Sequence, residues 1–263
     1  AGPRRALGPR DFQRPVAHRP LTPAPGYPAP RPTPAWKRVL DFTLLAAVLP
    51  IAGPLLALAA LWVRVTSKGR LLFVQERVGL GGHRFQCFKL RTMHEGCGTS
   101  THQRHLETLL KDDKPLQKLD CHDPRLIPGA RVLRALGVDE LPQLLNVLRG
   151  DMSVVGPRPC IPYEADQFGE WHRERFTVQP GLTGLWQVKG KNSTTFTQMI
   201  SLDIEYARTR SLALDLRILL ATPRAILKQL VQVARKKARP ERAPLSAPSS
   251  VPMPTAGESG VVG

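Results

Sequence analysis

The feature that most restricts this chain is an uncharged apolar run from residue 42 to residue 63, FTLLAAVLPIAGPLLALAALWV, which contains Pro50 and Pro54. At about 22 residues it is long enough to span the hydrocarbon core of a bilayer. It also lacks the polar face that a helix packed on a soluble core would keep. Membrane attachment follows, but a simple crossing does not. Arg31, Lys37 and Arg38 precede the run and Arg64, Lys68 and Arg70 follow it, so the positive-inside rule assigns both flanks to the cytoplasm. Each proline removes a helix hydrogen bond and crowds the preceding turn. A helix that enters, breaks at the prolines and returns to the same face satisfies both facts, provided the freed carbonyls find partners. A proline-kinked crossing is the alternative. A cleaved signal peptide is disfavoured, because the run is long and no Ala-x-Ala site follows it.

The charge balance is lopsided: 38 Lys and Arg against 21 Asp and Glu give a formal net charge of +17. Anionic lipid and phosphate-bearing substrates suit such a surplus. So would nucleic acid, but no recognition helix, zinc finger or stacking aromatic array accompanies the charge, and aromatics make up 6% of the chain. A non-catalytic basic membrane anchor remains the rival reading, and nucleic acid is not expected as a partner. The 26 prolines cluster toward the ends. Residues 1–35 and 236–263 therefore read as disordered tails, 36–70 as the membrane helix with its basic flanks, and 71–235 as a cytoplasmic catalytic domain. Cys87, Cys97, Cys121 and Cys160 show no framework spacing, so reduced thiols are expected. Cys97, His102, His105, Cys121 and His122 could in principle gather around zinc, but they match no common finger spacing. A solvated insertion with a helical stretch at 102–111 is the simpler reading.

Residues 71–75 and 84–93 read as short strands joined by a turn with Gly79, Gly81 and Gly82. On the second strand Phe88 and Leu90 fall on one face, Lys89 and Arg91 on the other. Two cations on one face can grip a diphosphate, or they can simply be solvated. Further on, 178–188 reads as a turn between extended segments, 190–192 as another turn, and 196–208 as an amphipathic helix. Residues 212–233, interrupted at Pro223, fit either a helix pair on a lipid surface or one packed on the body.

Asp139 and Glu140 open an expected helix over 141–148, and Arg158 follows between Pro157 and Pro159. Asp, Glu and a nearby Pro are ordinary signals of a helix start. Adjacent carboxylates beside fixed cations also suit phosphate chemistry on a metal, and a helix start favours a phosphate's negative charge.

Taken together the motifs resemble a known family. Lys37-Arg38-x-x-Asp41, the proline-interrupted segment, Gln75-Glu76-Arg77-Val78-Gly79, Phe88-Lys89-Leu90-Arg91-Thr92-Met93, Asp139-Glu140-Leu141-Pro142-Gln143, the block from Asn146 to Ser153, Gly156-Pro157-Arg158-Pro159, and the block from Pro180 to Gln187 occur in one order over residues 36–230. That order is similar to the bacterial sugar transferases, the monotopic phosphoglycosyl transferases. The resemblance implies an α+β, mainly helical, membrane-associated protein with an N-terminal re-entrant helix and a small cytoplasmic domain at the bacterial inner membrane. It implies transfer of a sugar 1-phosphate from a nucleotide sugar, with UDP the expected carrier, to polyprenyl or undecaprenyl phosphate, beginning exopolysaccharide, capsule or O-antigen assembly. Asp139 matches the nucleophile that forms a covalent phosphosugar intermediate, and Glu140 matches the ligand of Mg²⁺. Lys89, Arg91, Arg158 and Gln143 are the expected phosphate contacts. Thr183, Gln187 and Asn192 are placed near the nucleotide sugar or in a structural turn. Inner-membrane lipid is a further expected partner, and a homodimer is open beside a monomer. Two departures stand out. Gly53-Pro54 replaces the Ser-Pro of many relatives, and Ala135-Leu136-Gly137-Val138 replaces Lys-Thr-Ser-Leu before the carboxylates. With no membrane helices ahead of Trp36 in this sequence, the resemblance is to the minimal form of the family.

Overall fold

The computed structural model describes residues 22–94, 125–190 and 194–238, with side chains to residue 231. The zinc candidates Cys97, His102, His105, Cys121 and His122, the 102–111 stretch and Asn192 lie outside these residues.

The apolar run forms the middle of helix α1, Ala35–Thr66, whose helical backbone continues past Pro50 and Pro54. It is long and apolar enough to cross a membrane, and 17% of its most apolar window is buried. Both ends dock on the body, while much of the middle is exposed. Near the N-terminal end Lys37 and Asp41 are buried, and Leu45 shares a cluster with Phe85, Cys87, Val147 and Met152. Near the C-terminal end Ala59 and Val63 pack with Leu90, Ile127 and Ala130, and the Trp62 indole N–H donates to the Pro128 carbonyl at 2.9 Å. Between these anchors Leu49, Ile51, Leu55 and Leu58 are exposed.

After α1 come antiparallel strands β1, Leu72–Val78, and β2, Arg84–Leu90, in the register Phe73↔Lys89, Gln75↔Cys87 and Arg77↔Phe85. Helix α2, Ala130–Leu136, a 3-10 segment, Val138–Gln143, and helix α3, Leu144–Leu148, then lead to β3, Ser153–Val155. Short helices α4, Pro162–Asp166, and α5, Glu170–Arg173, precede a 3-10 turn, Glu174–Thr177. Strand β4, Gly181–Thr183, pairs parallel with β3 and is followed by helices α6, Leu185–Gly190, α7, Phe196–Thr209, and α8, Leu212–Ala238. Thr195 and Gln198 form a reciprocal capping box at the start of α7. The described chain is thus mainly helical with two small two-stranded sheets.

Three expectations change. Residues 22–34 are not part of a loose tail: Ala24 N–H donates to the Gly81 carbonyl, Arg31 N–H to Thr177, and Tyr27 meets the Phe176 ring edge-on at 5.3 Å. Composition concealed this, because the segment makes its contacts one residue at a time without any hydrophobic period. Residues 185–190 are helical rather than extended. Pro223 does not divide 212–233; α8 is continuous, with Asp215 and Ile218 buried while Leu212, Leu216, Leu220, Leu227 and Val231 are exposed. One face of this helix therefore packs on the body, and the other is exposed and rich in leucine.

Candidate active site

The carboxylate pair arrives on a turn that its neighbours dictate. Gly137 ends α2 in the left-handed region at φ 74°, its N–H bonding the Leu133 carbonyl, and so reverses the chain into the 3-10 segment. That conformation suits glycine and would strain a residue with a Cβ. The expected helix over 141–148 begins as a 3-10 segment and becomes α-helical only at Leu144. Gly137 occupies the N-cap position, without a side-chain cap; Asp139 and Glu140 lie inside the first turn. Successive 3-10 residues diverge by about 120°, and the two carboxylates differ accordingly: Asp139 is 7% exposed, whereas Glu140 lines an open cleft.

The cleft, of about 370 Å³ including its mouth, is lined by Arg77, Lys89, Glu140, Gln143, Arg158 and Gln187, with Cys87, Pro159, Gly181 and Leu182 completing its wall. Lys89 Nζ lies 2.9 Å from Glu140 Oε1. Asn146, fully buried, fixes that cation's strand: its carbonyl accepts from Phe88 N–H at 3.2 Å and its amide donates to the Gln86 carbonyl at 2.7 Å. Arg77 donates to the Pro159 carbonyl at 3.1 Å and to Gln75 Oε1 at 2.7 Å. Burial, and then the nearby Arg158 cation, push its pKa below the usual guanidinium value. Among the described residues no carboxylate pairs with Arg158, whose guanidinium sits 5.8 Å from the Trp186 ring centre. Burial raises the Cys87 and Cys160 thiols, so both of these cysteines, free among the described residues, are neutral.

Glycine makes the cleft floor possible. A Cβ on Gly181 would stand 2.1 Å from Gly156 N, and one on Gly184 would stand 2.2 Å from Gly156 O. Only bare backbones can approach so closely, and this approach lets Gly156 N–H reach the Thr183 carbonyl at 2.8 Å.

Of the expected phosphate contacts, Lys89, Gln143 and Arg158 converge here with Glu140. Arg91 does not. It lies past the end of β2, buried, donating to the carbonyls of Lys68 at 2.7 Å and Ser67 at 3.2 Å, where it ties down the C-terminal end of α1. Alternation alone could not reveal that the strand stops one residue earlier. Asp139 sits beside the cleft wall rather than in it. Thr183 bonds the Thr222 hydroxyl, and Gln187 reaches the cleft. The contribution missed from sequence is Arg77. Its signal was present, since pairing of the two strands puts Arg77, Cys87 and Lys89 on one face.

Among the described residues no group of three or more His, Cys, Asp or Glu gathers as a self-sufficient metal site. Glu140 at the cleft, with a carboxylate neighbour, still fits Mg²⁺, which takes one or two carboxylates and completes its shell with water and substrate phosphate. Three cations against one carboxylate make the cleft a receptor for a polyanion.

Comparison with known proteins agrees with this geometry. Residues 33–229 match the family described as bacterial sugar transferase. The chain is 43% identical over 217 residues to the UDP-glucose:undecaprenyl-phosphate glucose-1-phosphate transferase of Caulobacter vibrioides, covering 79% of this chain and 76% of that protein. It is 35% identical to the undecaprenyl-phosphate galactose phosphotransferase of Salmonella typhimurium, over 73% of this chain but only 40% of that longer protein. It is also 35% identical to the exopolysaccharide production protein ExoY of Rhizobium meliloti, over 72% of this chain and 84% of its relative. The chain belongs to the bacterial sugar transferase family.

Proposed function

We propose that this protein transfers a sugar 1-phosphate from a nucleotide sugar, with UDP as the expected carrier, to undecaprenyl or another polyprenyl phosphate. The reaction would begin exopolysaccharide, capsule or O-antigen assembly at the bacterial inner membrane. The observation that carries this reading is a cleft with Arg77, Lys89 and Arg158 facing Glu140, built on a body whose α1 is apolar enough for a bilayer. A diphosphate donor and a lipid phosphate acceptor both need such neutralisation, and the acceptor needs it near lipid.

In the first half-reaction an Asp139 carboxylate oxygen attacks the phosphorus bonded to the sugar. A bond forms from Asp139 to phosphorus, the bond to the nucleoside monophosphate breaks, and the leaving phosphate takes the electron pair. In the second, an oxygen of polyprenyl phosphate attacks the same phosphorus and Asp139 departs as a free carboxylate. A carboxylate is a weak nucleophile, so positioning and charge neutralisation matter more than basicity. Arg77, Lys89 and Arg158 oppose the charge that builds on the diphosphate oxygens. Glu140 is the residue that would hold Mg²⁺, which when bound adds further neutralisation of the diphosphate. The exposure of Glu140 in the cleft favours a second reading, with Glu140 as the attacking group and Asp139 in support.

The test is transfer of labelled sugar phosphate from a panel of nucleotide sugars into butanol-extractable lipid, with Asp139→Asn and Glu140→Gln alongside wild type. Asp139→Asn should lose both transfer and labelled protein; peptide mapping of the label to Glu140 establishes the second reading. Full activity in both variants, or no lipid product with any nucleotide sugar, overturns the mechanism.

Both flanks of α1 are proposed to face the cytoplasm. Leu45 shares a cluster with Phe85 and Cys87, and Val63 shares one with Leu90, further along the same strand. A straight helix would separate Leu45 from Val63 by about 27 Å, whereas Phe85 and Leu90 lie about 17 Å apart along β2. A bend near the prolines reconciles the two and leaves the exposed middle for lipid. Val39→Cys and Val65→Cys should both resist a membrane-impermeant thiol reagent in intact cells; external labelling of either one refutes the re-entrant path.

A further inference from the structure

Arg158 has prolines on both sides, and neither offers an N–H group to anchor the loop. Its carbonyls carry the load instead. Four in succession accept hydrogen bonds: Pro157 from Gly181 N–H at 2.8 Å, Arg158 from Arg175 Nη2 at 2.6 Å, Pro159 from Arg77 Nη1 at 3.1 Å, and Cys160 from Val78 N–H at 2.9 Å. Three of these donors lie on β1 or β4, whose places are set by strand pairing. Arg175 lies on the 3-10 turn Glu174–Thr177 and has a different anchor.

Arg175 is 1% exposed and does not line the cleft. Its Nη2 also meets Asp203 Oδ2 at 2.5 Å, and its guanidinium carbon lies 5.7 Å and 5.9 Å from the Phe168 and Phe176 ring centres. Asp203 lies on α7 and is itself 1% exposed. The Arg158 carbonyl is thus held by one member of a buried ion pair whose other member lies on α7. Stability alone is a weak reason for such a pair, because desolvation commonly cancels the Coulomb gain. Arg175 Nε and Nη1 meet no acceptor among the described residues; Nη2, the one committed nitrogen, serves the pair and the Arg158 carbonyl together.

We propose that Arg175 and Asp203 are a positioning pair that fixes the Arg158 main chain, and through it the guanidinium that meets the donor's diphosphate. This rests on the function proposed above and adds two residues outside the cleft to its specificity for the nucleotide sugar. Both act through Arg158 and touch no substrate.

The test is a double-mutant cycle on the full-length, membrane-bound protein, using Asp203→Asn, Arg158→Ala and their combination. KM for the nucleotide sugar, kcat and Tm are read for each. Asp203→Asn keeps the shape and removes the charge, and should raise KM about tenfold, as a displaced contact does, with a smaller change in kcat. Arg158→Ala should raise KM further, and the combination should match Arg158→Ala alone, since coupled residues are non-additive. Arg175→Lys, which retains charge on a shorter side chain that does not reach the position of Nη2, should reproduce the KM effect and keeps the test valid if Asp203→Asn fails to fold. Additive effects, or a lowered Tm with unchanged KM in both Asp203→Asn and Arg175→Lys, overturn the proposal. Unchanged KM in Arg158→Ala removes Arg158 from the phosphate site and this proposal with it, while continued lipid product leaves the transferase reading standing.

Discussion

Two lysine–carboxylate pairs, one at each side of this molecule's chemistry, look alike in sequence and behave as opposites. Lys37, 2% exposed at the start of α1, gives its ammonium donors to Asp215 Oδ2 at 2.5 Å, the Tyr206 hydroxyl at 2.9 Å and the Val155 carbonyl at 2.7 Å. An ammonium has three N–H donors, so this one is saturated by protein. Tyr206 in turn donates to Asp215 Oδ1 at 2.8 Å, and burial pushes its own pKa well above the usual phenol value. Lys89 is 22% exposed and meets one partner, Glu140, itself 36% exposed. Arg77 and Arg158 stand nearby without a carboxylate partner among the described residues. A cation whose donors are all used fastens α1 to the body. Cations left with donor capacity define where an anion goes.

Breaking each side of this comparison should have different consequences. Lys37→Met leaves Asp215 buried without its counter-ion, and should cost about 3–5 kcal/mol, as removing one member of a buried pair does. Thermal unfolding of the detergent-solubilised protein would report it, and the variant should accumulate poorly. Gly181→Ala comes next: its Cβ would collide with Gly156 N, and overpacking of this kind costs about 1–3 kcal/mol. Activity should fall with stability, because the same approach forms the cleft floor. Gly137→Ala forces a side chain into the left-handed region at φ 74° and should cost about 1 kcal/mol, with a measurable shift in Tm. Lys89→Met is the mirror of the first variant. The partly exposed pair should contribute less than about 1 kcal/mol, so folding should be retained while transfer drops by tenfold or more in a labelled-sugar assay.

A pH experiment sharpens the same contrast at the buried Arg175–Asp203 pair. Burial raises the Asp203 carboxyl to about 6 from its usual 3.8. The folded state therefore holds this proton more tightly than the unfolded chain. Its contribution to stability is full below the ordinary carboxylate value and is lost as pH rises through about 6. Asp203→Asn should flatten that part of the stability profile relative to wild type, as read by Tm across pH 4–7.

What was legible in the sequence depended on whether its signal was local. The apolar run, the amphipathic α7 and the strand alternation behind Lys89 are short-range patterns, and they appear where expected. Glu140, Gln143, Arg158 and Lys89 converge because the motif order marked them, although each was ambiguous alone. Arg91 was misjudged because alternation gives a face but not a strand end. Asp139 and Glu140 carry the sequence signals of both a helix cap and a reactive pair. The actual cap is Gly137, whose positive φ has no periodic signature. The partners of Lys37 and Arg175 lie far along the chain, Asp215 at 178 residues and Asp203 at 28. No local pattern joins them, and only the folded chain separates the saturated cation from the available one. The docked segment 22–34 was overlooked for the same reason.

The most direct measurement is nucleoside monophosphate release in a single turnover, with purified enzyme, Mg²⁺ and nucleotide sugar, and without any polyprenyl phosphate. The account predicts a burst approaching one equivalent per enzyme in wild type, with a sugar phosphate retained on the protein, and no burst in Asp139→Asn. Nucleotide release that begins only when the lipid acceptor is added, in an enzyme that is fully active with it, would contradict the covalent step.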